Sequence, residues 1–160
     1  MKSIIATLFL CACYFFPQAQ SSSKIDRSNY YKIIASENLE SINAQIELVK
    51  NSGEKYKEAF EGALMMKKAG LLKGAPNKLK EFKAGRQKLE EVLEKTKDNA
   101  ELRFLRLIIQ ENAPKILGYH KELEEDHKFI VTNFKTIPEA AQHAIRDYSK
   151  SSKILSPSDF

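Results

Sequence analysis

DNAELRFLRLIIQENAPKILGY, residues 98–119, predicts the central helix of this chain. Apolar side chains cover most of the circumference of that helix, which is typical of a helix packed against several neighbours. Asp98 followed by Glu101 matches a capping box and predicts where the helix begins. Arg103, Arg106 and Gln110 form its polar strip, because at 100° per residue these three side chains share one side of the helix.

The sequence on both sides of this stretch also predicts helices. Apolar residues recur at helical spacing, whereas the alternating pattern of strands is missing from the sequence. Breaks are expected at Asn51-Ser52-Gly53 and at residues 73–77, and Ser36 and Pro138 are expected to begin helices. We therefore predict an all-α fold of antiparallel helix pairs, a bundle or short solenoid of about six to seven helices.

The first residues have the pattern of a secretory signal peptide. Lys2 precedes the apolar run Ile4–Phe16, and Pro17-Gln18-Ala19 supplies a break and a small residue. We expect residues 1–19 to be removed on export, residues 20–150 to form a single helical domain, and residues 151–160 to be a flexible tail. The protein is then periplasmic or secreted. A less favoured alternative is a lipoprotein anchored through Cys13.

Composition narrows the classes of function. Both cysteines lie in the predicted signal peptide, so the mature chain should have no thiolate nucleophile or thiolate metal site. The net charge is +5, with a basic excess between Lys67 and Lys88. This segment is interpreted as a solvated face or, alternatively, as a surface that binds anionic membrane or polysaccharide. Nucleic acid is not expected for an exported chain, and aromatic residues do not interleave the lysines in the way that a platform for single strands needs.

The polar strip of the central helix has three interpretations. A buried arginine needs an acidic partner, so Glu124 of the next long helix is expected to meet Arg103, Arg106 or Arg86 inside the fold. Alternatively, the strip recognises an acidic ligand such as a chain-terminal carboxylate, with Tyr119 at the rim of that site. A third interpretation is a solvent-facing strip with no role.

A metal site is the alternative from another class. His120, Glu124 and His127 have the spacing to converge on one helix face, where they would serve a metal carrier or an enzyme. A fourth ligand is not evident, and motifs for nucleophilic or phosphate-binding chemistry are missing from the sequence. We therefore expect no catalytic residues and no cofactor.

Residues 88–107, KLEEVLEKTKDNAELRFLRL, resemble the junction between two tetratricopeptide repeats, with Lys97-Asp98-Asn99-Ala100-Glu101 at the turn. The chain also resembles a family of exported bacterial helical proteins of unknown role. That second pattern consists of Gly85, Leu89-Glu90, Asn99, Glu101, Arg103, Leu105-Arg106, Gln110, Pro114 and Leu117-Gly118-Tyr119. The tetratricopeptide resemblance implies binding of a protein or peptide. The predicted function is therefore that of an exported, non-catalytic binding module of the cell envelope.

Overall fold

The computed structural model describes residues 23–160, so the predicted signal peptide and Cys13 lie outside the described residues. Within this range the chain forms seven α-helices and no strand, which confirms the all-α prediction. The helices are α1 (Arg27–Ala35), α2 (Leu39–Lys50), α3 (Lys57–Leu71), α4 (Ala75–Lys95), α5 (Ala100–Asn112), α6 (Leu123–Asn133) and α7 (Glu139–Ser149). Short 3₁₀ turns follow α5, α6 and α7. No helix among residues 23–160 is both long and apolar enough to span a membrane.

Helix α5 is the centre of the fold, as the sequence predicts. Every residue from Ala100 to Leu107 is buried, and the helix packs against α3, α4 and α6. Helix α3 is the second central element, because it contacts α1, α2, α4 and α5. The apolar core therefore lies between α3 and α5, and the other helices surround it.

Helices α3 and α4 cross at a pair of glycines. A Cβ atom added to Gly62 would lie 2.5 Å from the carbonyl oxygen of Gly85, and one added to Gly85 would lie 2.5 Å from the carbonyl oxygen of Gly62. Such distances are below van der Waals contact, so the two backbones touch directly at this point. This crossing fixes how far α4 stands from the core.

Two helices begin at an asparagine rather than at the residue we predicted. Asn38 caps α2 by accepting a hydrogen bond from the Ser41 amide, whereas Ser36 ends α1. In the same way Asn99, not Asp98, caps α5 by accepting from the Leu102 amide. The predicted capping box is therefore wrong, and the Glu101 carboxylate is free to bind elsewhere. Pro138 precedes α7 as predicted.

The last residues pack against the core, where we expected a loose tail. Leu155 is buried, and the ring of Phe160 lies 4.6 Å from that of Phe134. The carboxylate of Glu111 in α5 accepts hydrogen bonds from this segment. These contacts tie residues 152–160 to α5 and to the turn that follows α6.

Candidate functional site

The arginines of the polar strip bind a buried carboxylate. Arg106 donates from Nε and Nη2 to the two oxygens of Asp126 at 2.7 and 2.8 Å, and Arg103 donates from Nη1 to the same carboxylate at 3.0 Å. Asp126 has an exposed fraction of 0%, and the two arginines are also buried. We call these three residues the arginine cluster. It joins α5 to α6.

Further acceptors surround the arginine cluster. Arg103 donates from Nε to the carbonyl oxygen of Lys97 at 2.8 Å and from Nη1 to Glu125 at 2.8 Å, while Arg106 reaches Glu90 at 3.1 Å. Burial lowers the pKa of Arg106, but the hydrogen bonds and charges of Asp126 and Glu90 outweigh this effect and hold that pKa above its ordinary value. Both guanidinium groups are thus satisfied within the fold.

The prediction that Glu124 is the acidic partner of these arginines is wrong. Its side chain is 91% exposed and lies near Lys128, not near the arginines. The buried face of α6 runs through Asp126 and Ile130, and residue 124 lies almost opposite to residue 126 on a helix. An internal ion pair exists as predicted, but a different carboxylate makes it.

Gln110 and Tyr119 lie beside the arginine cluster. Gln110 donates from Nε2 to Glu122 at 2.6 Å, and its buried Oε1 accepts no hydrogen bond from the described residues. Tyr119 is buried and donates to Glu90, and burial followed by the charge of Glu90 raises the pKa of its hydroxyl well above the ordinary value. The exposed Arg86 lies over the Tyr119 ring, with Cζ 4.5 Å from its centre.

The predicted ligand-binding residues therefore occupy one region but do not form an open site. Arg86 and Tyr119 line a shallow polar depression of about 420 Å³, together with three carboxylates. Arg106 and Gln110 bind two of these carboxylates, Glu90 and Glu122. Arg103 does not contact the depression and binds Asp126. An acidic ligand would have to displace these internal carboxylates.

The structure does not bring His120, Glu124 and His127 together. His120 and Glu124 are exposed, whereas the half-buried His127 lies 3.2 Å from Asp159 near the C-terminus. Among residues 23–160, no group of three histidine, cysteine, aspartate or glutamate side chains has the geometry to hold a metal ion. The predicted convergence of these three residues is wrong because His120 precedes α6, which begins at Leu123, and because the side chain of Glu124 is exposed.

A second buried ion-pair cluster was not anticipated from the sequence. Arg27 of α1 binds Glu101 at 2.8 Å and Glu54 at 3.1 Å, and the Tyr31 hydroxyl donates to Glu101 at 3.1 Å. Burial raises the pKa of Glu101 even though Arg27 acts in the opposite direction. This cluster ties α1 and the loop before α3 to α5.

An apolar groove of about 1370 Å³ opens among the described residues. It lies against the outer part of α5 and is bounded by α1 and α7, which contact each other, and by α3 and α4, which also contact each other. The lining is mostly apolar, and many of its side chains are small. The residues that define this apolar groove are Tyr31, Lys32, Ala35, Glu37, Lys67, Ala69, Gly70, Ala75, Lys78, Leu79, Phe82, Phe104, Ile108, Ala113, Ile116, Ala140, His143, Ala144, Asp147 and Tyr148.

Two exposed apolar side chains stand at the rim of the apolar groove. Ile116, in the turn after α5, is 93% exposed, and Leu79 of α4 is 41% exposed. The apolar run Ile116-Leu117 in an otherwise polar loop was the one sequence signal of this groove. Its walls come from five separate elements, so sequence reasoning missed the groove as a whole.

The basic segment 67–88 divides between ion pairs and free surface. Lys68 lies 3.1 Å from Glu81, and Lys88 lies 3.1 Å from Glu61. Lys67 and Lys78 instead line the apolar groove. The basic excess is therefore concentrated at one edge of that groove and along the outer face of α4.

No family model matches this chain, and no curated protein or solved structure shows significant similarity to it.

Proposed function

We propose that this chain is an exported, non-catalytic binding protein whose protein or peptide partner places apolar side chains in the apolar groove. The observation that carries the proposal is the groove itself, a volume of about 1370 Å³ lined mainly by apolar side chains and open to solvent. Large exposed apolar patches on a soluble fold mark sites of interaction. Such patches otherwise promote aggregation.

The chemistry of the arginine cluster also favours the apolar groove over the arginines as the place where a partner binds. Arg103 and Arg106 bind carboxylates of the chain, and removing them from those partners would leave Asp126 buried and unpaired. Binding an external acid at this place would therefore be costly. The apolar groove requires no such exchange, because a partner only displaces water from apolar surface.

Site-directed photocrosslinking in the producing cells tests this proposal. A photoreactive amino acid replaces Ile116 at the groove rim or, as the control, Leu48, which is 62% exposed on α2. We expect a covalent adduct with another protein from position 116 and none from position 48. The same adduct should disappear in Gly70→Leu, whose new side chain would enter the groove.

Gly70→Leu is suited to this purpose because it leaves the fold intact. A Cβ added at Gly70 meets no atom of the described residues within 4 Å. Leucine also has a higher helix propensity than glycine, so the melting temperature should stay the same or rise. Equal adducts from both positions, or an adduct that survives Gly70→Leu, would contradict the proposal.

A further inference from the structure

We infer that the partner in the apolar groove is an amphipathic helix with acidic residues along one flank, and that this flank lies on the edge formed by the end of α3 and the beginning of α4. The inference rests on the proposed function and names the chemistry of the partner. Three features of the groove carry it: its volume, the small residues of its walls, and the charge of one edge.

The volume suits a helix better than a small molecule. Pockets for drug-sized ligands enclose roughly 300–1000 Å³, whereas this groove encloses about 1370 Å³. Three turns of α-helix, about 16 Å long and about 10 Å wide, occupy roughly 1300 Å³. The groove is also partly open to solvent, so a helix can place its apolar face there and keep its polar face in water.

Small residues line the walls where a partner would come closest. Ala69 and Gly70 lie on the α3 wall, and Ala140 and Ala144 lie one turn apart on the α7 wall. An added Cβ at Gly70 meets no atom of the described chain within 4 Å, so the space in front of it is open. Walls that end at Cβ leave room for the larger side chains of a partner, such as leucine at positions i, i+3, i+4 and i+7.

One edge of the groove is positively charged. Lys67 and Lys78 line it, and the Nζ atom of Lys78 is held 2.9 Å from the carbonyl oxygen of Gly70. Helix α4 begins at this edge, and its first turn, residues 75–78, contains no acidic side chain and no side-chain cap. The macrodipole of α4 is positive at this edge and that of α3, which ends at Leu71, is negative, so the positive charge of the edge comes from the two lysines.

The other wall has no such excess. Asp147 of α7 lies 2.7 Å from Lys150, and Lys32 and Glu37 bring opposite charges to the end of α1. An acidic flank on the partner would thus be attracted to the α3–α4 edge only. This asymmetry also fixes which way the partner's apolar face is rotated.

Two designed peptides test the inference. Both have about 18 residues, long enough to be substantially helical alone, and both have the same leucine face. One has glutamate along a flank and the other has lysine there. Fluorescence anisotropy with the full chain, in about 0.15 M salt, where screening is physiological, gives each Kd. We expect the acidic peptide to bind at least about tenfold more tightly, a difference of about 1.4 kcal/mol.

Charge reversal within the protein gives the matched control. Lys67→Glu with Lys78→Glu should weaken binding of the acidic peptide by about tenfold or more, whereas Lys80→Glu with Lys83→Glu, on the outer face of α4, should change it by less than about twofold. Both double variants change the net charge of the protein by the same amount. Circular dichroism melting establishes that both fold.

Each other outcome overturns the inference in a distinguishable way. Equal binding of both peptides, abolished by Gly70→Leu, would leave the groove as the binding site but refute the acidic flank. Equal loss in both double variants would mean attraction by net charge alone. Binding to phosphatidylglycerol vesicles that depends on Lys67 and Lys78, without binding of either peptide, would identify an anionic lipid instead. Failure of both peptides refutes the helix but not the proposed function, which the crosslinks from positions 116 and 48 and their response to Gly70→Leu test separately.

Discussion

Asp126 is the residue on which the α5–α6 interface depends. It is fully buried, and its two oxygens accept three hydrogen bonds from two guanidinium groups. Burying a carboxylate without such partners would cost free energy. A bidentate arginine balances its charge and donates a hydrogen bond to each of its oxygens. The polar strip of the central helix is thus a structural feature that positions α6.

Arg106→Gln should lower the stability of the fold, and we do not expect it to act on binding in the apolar groove. The substitution removes the bidentate partner of Asp126 and leaves only the contact with Arg103, so we expect a loss of about 3 kcal/mol in the free energy of unfolding. For a domain of this size the melting temperature should fall by on the order of 10 °C.

Arg86→Gln is the matched control for this prediction. Arg86 is exposed and only lies over the Tyr119 ring, so its loss should cost less than about 1 kcal/mol. Thermal denaturation followed by circular dichroism measures both variants. Similar melting temperatures for Arg106→Gln and the wild type would show that the arginine cluster does not hold α5 and α6 together.

Sequence reasoning could predict that Arg103 and Arg106 find an internal acid, but not which one. Their burial follows from the apolar residues around them, and buried charge requires a partner. Glu124 was expected on the apolar face of this helix, whereas the buried face runs through Asp126 and Ile130. Which acid meets the arginines depends on the register of α6. That register depends on where the 3₁₀ turn and Gly118, with φ of +58°, end the preceding segment.

Among the elements, α3 and α4 depend most on a single contact. Gly62 and Gly85 allow the two backbones to touch. The backbone at each glycine leaves no room for a side chain at the other. The sequence marks this place only as isolated glycines within helical patterns, which are compatible with a close approach but do not identify the partner.

Gly85→Ala should separate these two helices. The new Cβ would lie 2.5 Å from the Gly62 carbonyl oxygen and 2.9 Å from Cβ of Met65, and backbone atoms cannot move away without shifting a helix. Overpacking of this kind costs about 1–3 kcal/mol, which exceeds the gain in helix propensity from alanine. Chemical denaturation of Gly85→Ala beside Gly70→Ala, where space is open, measures the difference. Equal stability of the two variants would contradict the close crossing.

The ends of elements could be predicted to within a few residues, whereas their caps and the C-terminal segment could not. Asp98 and Asn99 are both good capping residues, and the sequence alone does not choose between neighbours. Glu101 is drawn into the ion pair with Arg27, a contact 74 residues distant in sequence. The C-terminal segment is held by Glu111 of α5, 42 residues away from Lys153, a contact that the expectation of a flexible terminus did not include.

At the scale of the whole molecule, the all-α architecture could be predicted and the apolar groove could not. Periodicity predicts helices and their number, because it reports which face of each helix is buried. The groove is a surface that five elements leave uncovered. The periodicity of any one element does not reveal such a surface. The tetratricopeptide resemblance stays a prediction.

We propose that this protein binds through the apolar groove and uses its arginine cluster only to hold the fold. Nuclear magnetic resonance of the ¹⁵N-labelled chain, titrated with the acidic peptide, tests both parts of this proposal directly, because backbone amides and arginine Nε–H groups report both regions in one spectrum. We expect the largest shift changes at Gly70, Leu79 and Ile116, with the Nε–H signals of Arg103 and Arg106 unmoved. The largest changes at Arg86, Gln110 and Tyr119 would contradict it.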